Sequence, residues 1–163
     1  MKFLEKFSAD EIQNLKLSLM RVFNVIADAD GKIDKKEVKS LEIFYANADK
    51  LKYECVTEIF SELPAPGVLE EQRQLSGLGD REGLRYISAL LERKAGHETA
   101  VEFKKTLISF GYFVAASSGS FFEHNINDEE NSALHLVAKD LDMSLRDLIN
   151  SKQIHKIIEK ISG

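Results

Sequence analysis

A chain of 163 residues, 44% hydrophobic and 30% charged, is long enough for one domain with a substantial core and too ordinary in composition for a disordered or fibrous protein. Its net charge of −5 gives no electrostatic reason to expect nucleic-acid or acidic-membrane binding. The single cysteine, Cys55, excludes an intramolecular disulfide and a Cys-rich zinc site, in keeping with a reducing cytoplasm.

The opening "MKFLEKFSADE" lacks the apolar core and small-residue cleavage site of a signal peptide. Ser8 and Glu11 then form a capping box, and Ile12, Leu15, Leu19, Val22 and Ile26 recur at three- and four-residue spacing, which predicts a helix over about 9–28. Val38, Leu41, Tyr45 and Ala48 predict a second helix, with Asp34 at its N-cap and Glu37 at N3. Leu51, Cys55, Ile59 and Leu63 read as a third. "LPAPG" at 63–67 is a connector, because each proline pushes the preceding residue out of the helical region. A short helix is expected near 69–75, and Leu84, Ile87 and Leu91 mark another that ends near Gly96.

A long helix is predicted from about Glu98 to Ser117, with Gly111 inside it. It is apolar on most faces toward its end, which makes it the expected central helix, and its run "LISFGYFVAA" is far too short to span a bilayer. Leu134, Val137 and Leu141 mark a helix capped by Asn127, and Ser144 with Asp147 suggests a cap for a last one carrying Leu145, Leu148, Ile154, Ile158 and Ile161. No strand alternation appears, so the expected fold is all-α: a compact helical bundle of about seven to nine helices in a single domain over 1–163.

The first helix–turn–helix is echoed by the second half of the chain. "FNVIADADGKIDKKEVKSL" can be laid on "GYFVAASSG", an insertion within "SFFEHN", and "INDEENSAL". Gly31 then matches Gly119, Ile33 matches Ile126, Glu37 matches Glu130 and Leu41 matches Leu134. Two pseudo-symmetric repeats, at about 9–63 and about 98–161, are the expected organisation.

The acidic turn Asp28, Asp30, Asp34 and Glu37 is the candidate site. It is not an EF-hand: with Gly31 at position 6 of that loop, position 1 falls on Ile26, which offers no oxygen. Two readings stand. In one, Gly31 closes a helix, while Asp34 and Glu37 cap the next and Ile33 staples onto it. The second copy, with Ser118 for Asp30 and Asn127 for Asp34, retains this capping chemistry without the charge. In the other reading, Asp28 and Asp30 crowd the negative end of a helix dipole, and a divalent cation such as Ca²⁺ or Mg²⁺ offsets their repulsion, with Asp34 and Glu37 completing the ligands. Lys32, Lys35 and Lys36 are alternative sources of positive charge. In the second copy only Glu130 keeps its charge, with Glu123, Asp128 and Glu129 nearby, which argues against a second site.

The remaining candidates are weaker. His97, His124, His135 and His155 show no i, i+4 pair, although His124 stands beside Glu123. Ser117 and Ser118 lack a nucleophile-elbow context, and Cys55 lies on a core stripe. Phe110, Tyr112 and Phe113 read as core, while Phe121 and Phe122 in the insertion need burial or a partner.

The pattern A-D-x-D-G-x-I-D-x-x-E between two apolar helices, followed in the second half by Leu141, Met143, Ser144 and Leu148 as L-x-M-S-x-x-x-L, resembles the TerB-like domains of tellurite-resistance proteins. It is also similar to the N-terminal domain of a membrane-anchored DnaJ-like co-chaperone. The resemblance implies an all-helical fold with internal pseudo-symmetry, a bacterial cytoplasmic protein of a metal-oxyanion or other stress system, and a divalent-cation site at the acidic turn. The expected function is a non-catalytic module that binds protein partners, membrane-associated ones among them, without entering the membrane itself. The alternatives are a metal-dependent hydrolase using the acidic cluster with His124, and a helical scaffold whose turn residues only cap helices.

Overall fold

In the computed structural model, which describes residues 2–29, 35–117 and 128–143 together with Glu159, every regular element is a helix. Seven α-helices are seen among these residues, the low end of the expected count: α1 (Ala9–Ala27), α2 (Lys35–Asn47), α3 (Glu54–Ser61), α4 (Pro66–Leu75), α5 (Asp80–Lys94), α6 (His97–Ser117) and α7 (Asp128–Asp140). Short 3₁₀ turns occupy Phe3–Lys6 and Ala48–Leu51. No helix among the described residues is long and apolar enough to cross a membrane. The last predicted helix, apart from Glu159, and the insertion at 120–125 lie outside the described residues.

Local chemistry accounts for the start of α1. The Glu11 amide donates to Ser8 Oγ at 3.2 Å, and the Ser8 amide donates to Glu11 Oε1 at 2.8 Å, a complete capping box. The single apolar stripe understates how enclosed this helix is. Leu15, Leu19, Val22 and Ile26 are buried as expected, and so are Leu17, Met20, Arg21 and Phe23 on other faces, because α4, α5, α6 and α7 all pack around α1. The expected central helix, α6, shares that place. It packs against α1, α2, α3, α5 and α7 and buries Phe103, Leu107, Phe110 and Val114. Gly111 lets α6 come close to both α1 and α7: a Cβ there would lie 3.2 Å from both Val22 of α1 and Leu134 of α7.

Two boundaries differ from expectation. α4 begins at Pro66 rather than near residue 69, since proline is well suited to the first helical position, where its missing N–H has no partner to lose. α3 is shorter than its stripe: Leu51 belongs to the preceding 3₁₀ turn, Lys52 takes the left-handed conformation with φ 61°, and the helix ends at Ser61. In α2 the predicted stripe is rotated. Val38 is exposed while Glu37, Ser40, Leu41 and Phe44 are buried, because α2 faces α6 with that side.

The N-terminal segment is clamped by one carboxylate. Glu58 on α3 accepts from the amides of Phe3 at 2.9 Å and Leu4 at 3.1 Å, which seats Phe3 against Phe7 and Phe103. Burial pulls the Glu58 carboxyl up, but these two N–H donors, with help from Glu54 and Lys2, bring it below its ordinary value. A carboxylate held lower in the folded than in the unfolded chain stabilises the fold above its unfolded pKa, and that contribution is lost as pH falls through the folded one. Glu58→Gln should therefore lower the melting temperature at neutral pH and cost progressively less below about pH 4. Melting curves of both proteins against pH check this, and a gap that stays constant into acid would contradict the clamp.

Candidate functional site

The acidic turn sits where α1 ends and α2 begins. Asp28 closes α1, its amide donating to Asn24 O at 3.0 Å, and its side chain is exposed. No basic residue lies in the last turn of α1 to complement the helix dipole. Glu37, at the third position of α2, is 0% exposed, beside the buried Ser40 and Leu41. It contrasts with Glu11, the third residue of α1, which closes its capping box nearer the surface. Asp30, Asp34 and the Gly31 turn between them lie outside the described residues. Of the four expected ligands the structure therefore places Asp28 at the surface and Glu37 in the interior. Among the described residues no three His, Cys, Asp or Glu side chains gather as a metal-ligand set.

The residue matched to Glu37 in the second half behaves alike. Glu130 is the third residue of α7 and is 1% exposed, and the matched pair Leu41 and Leu134 are both buried.

Asp28 shares a cavity with charged residues of both signs that the sequence reading did not connect with it. It lines a cavity of about 470 Å³ together with Asp80, Arg81, Glu82 and Arg85 from the start of α5. Arg81 and Arg85 both bind Asp140 of α7, at 2.8 Å and 3.1 Å, and Asp140 is almost fully buried. The lysines proposed to offset the turn, Lys35 and Lys36, are exposed. The i, i+4 spacing of Arg81 and Arg85 was the available signal, but nothing local ties α5 to a turn more than fifty residues earlier.

A second cavity, of about 600 Å³, lies beside the first half of α1. Its walls come from α1, from the end of α4 and from Tyr86 of α5. Behind it sits Arg21, fully buried.

The other candidates resolve as follows. Cys55 is buried, and burial first, with Glu102 nearby, pushes its thiol up to about 12, so it is no nucleophile at neutral pH. Phe110 is core, stacked with Phe23 and tilted against Phe44, and Phe113 packs against Phe44. His97 lies at the surface against Glu92, and His135 is exposed. Ser118, Phe121, Phe122, His124 and His155 lie outside the described residues. No family model, no curated protein and no solved structure matches the chain.

Proposed function

We propose that this chain is a non-catalytic helical binding module of TerB-like type, serving a bacterial stress system in the cytoplasm. It engages protein partners, membrane-associated ones among them, and its acidic turn takes a divalent cation, Ca²⁺ or Mg²⁺, through Asp28, Asp30, Asp34 and Glu37. The observation that supports this reading is the burial of Glu37 at the start of α2, next to the acidic turn in the chain. A buried carboxylate is held in place, and a fixed oxygen beside an acidic turn suits a hard cation. The cation would tie the end of α1 to the start of α2 and stiffen that face for a partner.

Linkage supplies the test. An ion that binds the folded chain at about a hundredfold excess over its Kd adds roughly 2.7 kcal/mol, which is a rise of about 5–10 °C in melting temperature for a domain of this size. Millimolar Ca²⁺, Mg²⁺ or Mn²⁺ is expected to produce such a rise, and Asp30→Asn to abolish it. An unchanged curve removes the cation from the proposal, and a rise that survives in Asp30→Asn moves the site elsewhere.

A second reading draws on Arg81 and Arg85. These arginines, although both bind Asp140, line a cavity with Asp28, so the chain itself brings guanidinium groups to the end of α1. On that reading the turn only joins two helices. Identical NMR spectra with and without divalent ions favour it.

A further inference from the structure

Arg21 is the least expected residue in the core. It is 0% exposed, midway along α1. Its guanidinium donates from Nη1 to Asn14 Oδ1 at 3.0 Å and from Nη2 to Ser76 Oγ at 2.9 Å, and Nε finds no acceptor among the described residues. Two carboxylates near Ser76 in the chain are engaged elsewhere: Glu70 and Asp80 both bind Arg73, at 2.6 Å and 3.0 Å. Asp80 acts on Arg21 only through space, and Arg73 opposes it. A buried cation whose hydrogen bonds go only to neutral oxygens is costly, by several kcal/mol when it stays charged.

The fold leaves one direction open for compensation. Gly83 of α5 covers Cδ, Nε and Cζ so closely that no side chain fits between them, which seals that face. On the other side both hydrogen-bond partners, Asn14 and Ser76, line the cavity of about 600 Å³. Ser76 Oγ accepts from Arg21 and from the Leu78 amide at 3.2 Å, so its own hydrogen is directed elsewhere, with no acceptor among the described residues. Gln72 Oε1 accepts from Gln13 at 2.8 Å, which leaves the Gln72 amide group as a donor on the same cavity. Asp10 and Gln13 add polar wall, and the apolar part is Leu17, the Tyr86 ring and Leu75, the last 87% exposed.

We propose that this cavity is a binding site for small amphipathic monocarboxylates. The carboxylate takes the Ser76 hydroxyl and the Gln72 amide, with the Arg21 charge behind them, and the apolar tail lies along Leu17, Leu75 and Tyr86. Charge complementarity selects a single negative charge. One arginine stands behind the donors, and Asp10 on the same cavity disfavours a doubly charged phosphate. The hollow is roomy enough for a chain of medium length, and such sites combine an apolar wall with a few fixed polar groups. This site is separate from the acidic turn, at the other end of α1, so either can fail without the other.

The test is an NMR titration of the isotope-labelled full chain with octanoate, and with octan-1-ol as the chain-matched neutral probe. Octanoate is expected to shift the amide signals of Ser76, Leu78 and Tyr86 saturably and to bind at least about tenfold more tightly than octanol, the ratio expected for a charge-assisted hydrogen bond. Arg21→Met should remove that preference while leaving any binding through the tail. Where Arg21→Met fails to fold, Ser76→Ala decides: it should reduce the preference by about half its free energy or more. Equal binding of the two probes, no saturable shift, or a preference that survives both substitutions overturns the proposal. Tighter binding of a short apolar peptide with a free C-terminus than of octanoate also overturns it, because the ligand class would then be a chain terminus.

Discussion

Phe110→Ala is expected to destabilise the protein by about 3–5 kcal/mol, the range for emptying a buried aromatic site. Phe110 is fully buried on α6. Its ring centroid lies 4.8 Å from that of Phe44 on α2 and 6.5 Å from that of Phe23 on α1, so one side chain joins three helices. Each such aromatic pair adds roughly 0.5–1.5 kcal/mol to the area term. The void cannot close cheaply. Gly111, next along α6, already holds its helix against Val22 and Leu134, so α6 has no slack toward α1 or α7. Chemical denaturation should show a lower midpoint with an unchanged slope, and heating a fall of roughly 2–4 °C per kcal/mol. Phe113→Ala is the comparison. That ring is only partly buried and lies 6.4 Å from Phe44, so its removal should cost clearly less. Equal losses would mean that the three-helix junction is not centred on Phe110.

Gly83→Ala comes second, at about 1.5–5 kcal/mol net. The added methyl would run into Cδ, Nε and Cζ of Arg21. Those atoms cannot swing away, because the side chain is buried on every side and held at Asn14 and Ser76. Overpacking costs about 1–3 kcal/mol. Disturbing hydrogen bonds from a charged donor costs about 1.5–3 more, and the better helix propensity of alanine returns about 1. Gly67→Ala is the control: nothing lies near its Cβ, so the same exchange in α4 should be neutral or stabilising by up to about 1 kcal/mol. Denaturation of the two variants separates them directly. Gly83→Ala behaving like Gly67→Ala would show that Arg21 is not pinned against α5.

Which parts of this were legible in the chain follows from how local each signal is. The start of α1 was readable because Ser8 and Glu11 satisfy each other within four residues. The all-helical class was readable because apolar spacing repeats along nearly every segment. The rotation of α2 was not. Val38 is exposed and Glu37 buried, the reverse of their hydropathies, and only the position of α6 decides it. The start of α4 was masked by proline, which closes one helix and opens the next in the same five residues. At the acidic turn the spacing located Asp28 and Glu37, but it could not tell that one is exposed and the other withdrawn from water. Arg21 was hidden most completely. An arginine inside an apolar run looks like a solvated interruption, and its partner Ser76 is separated from it by 55 residues.

The burial of Cys55 has a practical consequence. Alkylating reagents attack the thiolate, and here the sulfur is both covered and reluctant to ionise. Labelling of the intact protein can therefore proceed only in the moments when α3 lifts away from α1 and α6. The chain carries its own stopwatch: the labelling rate counts those openings, and its dependence on denaturant tells whether α3 detaches alone or only when the whole molecule comes apart.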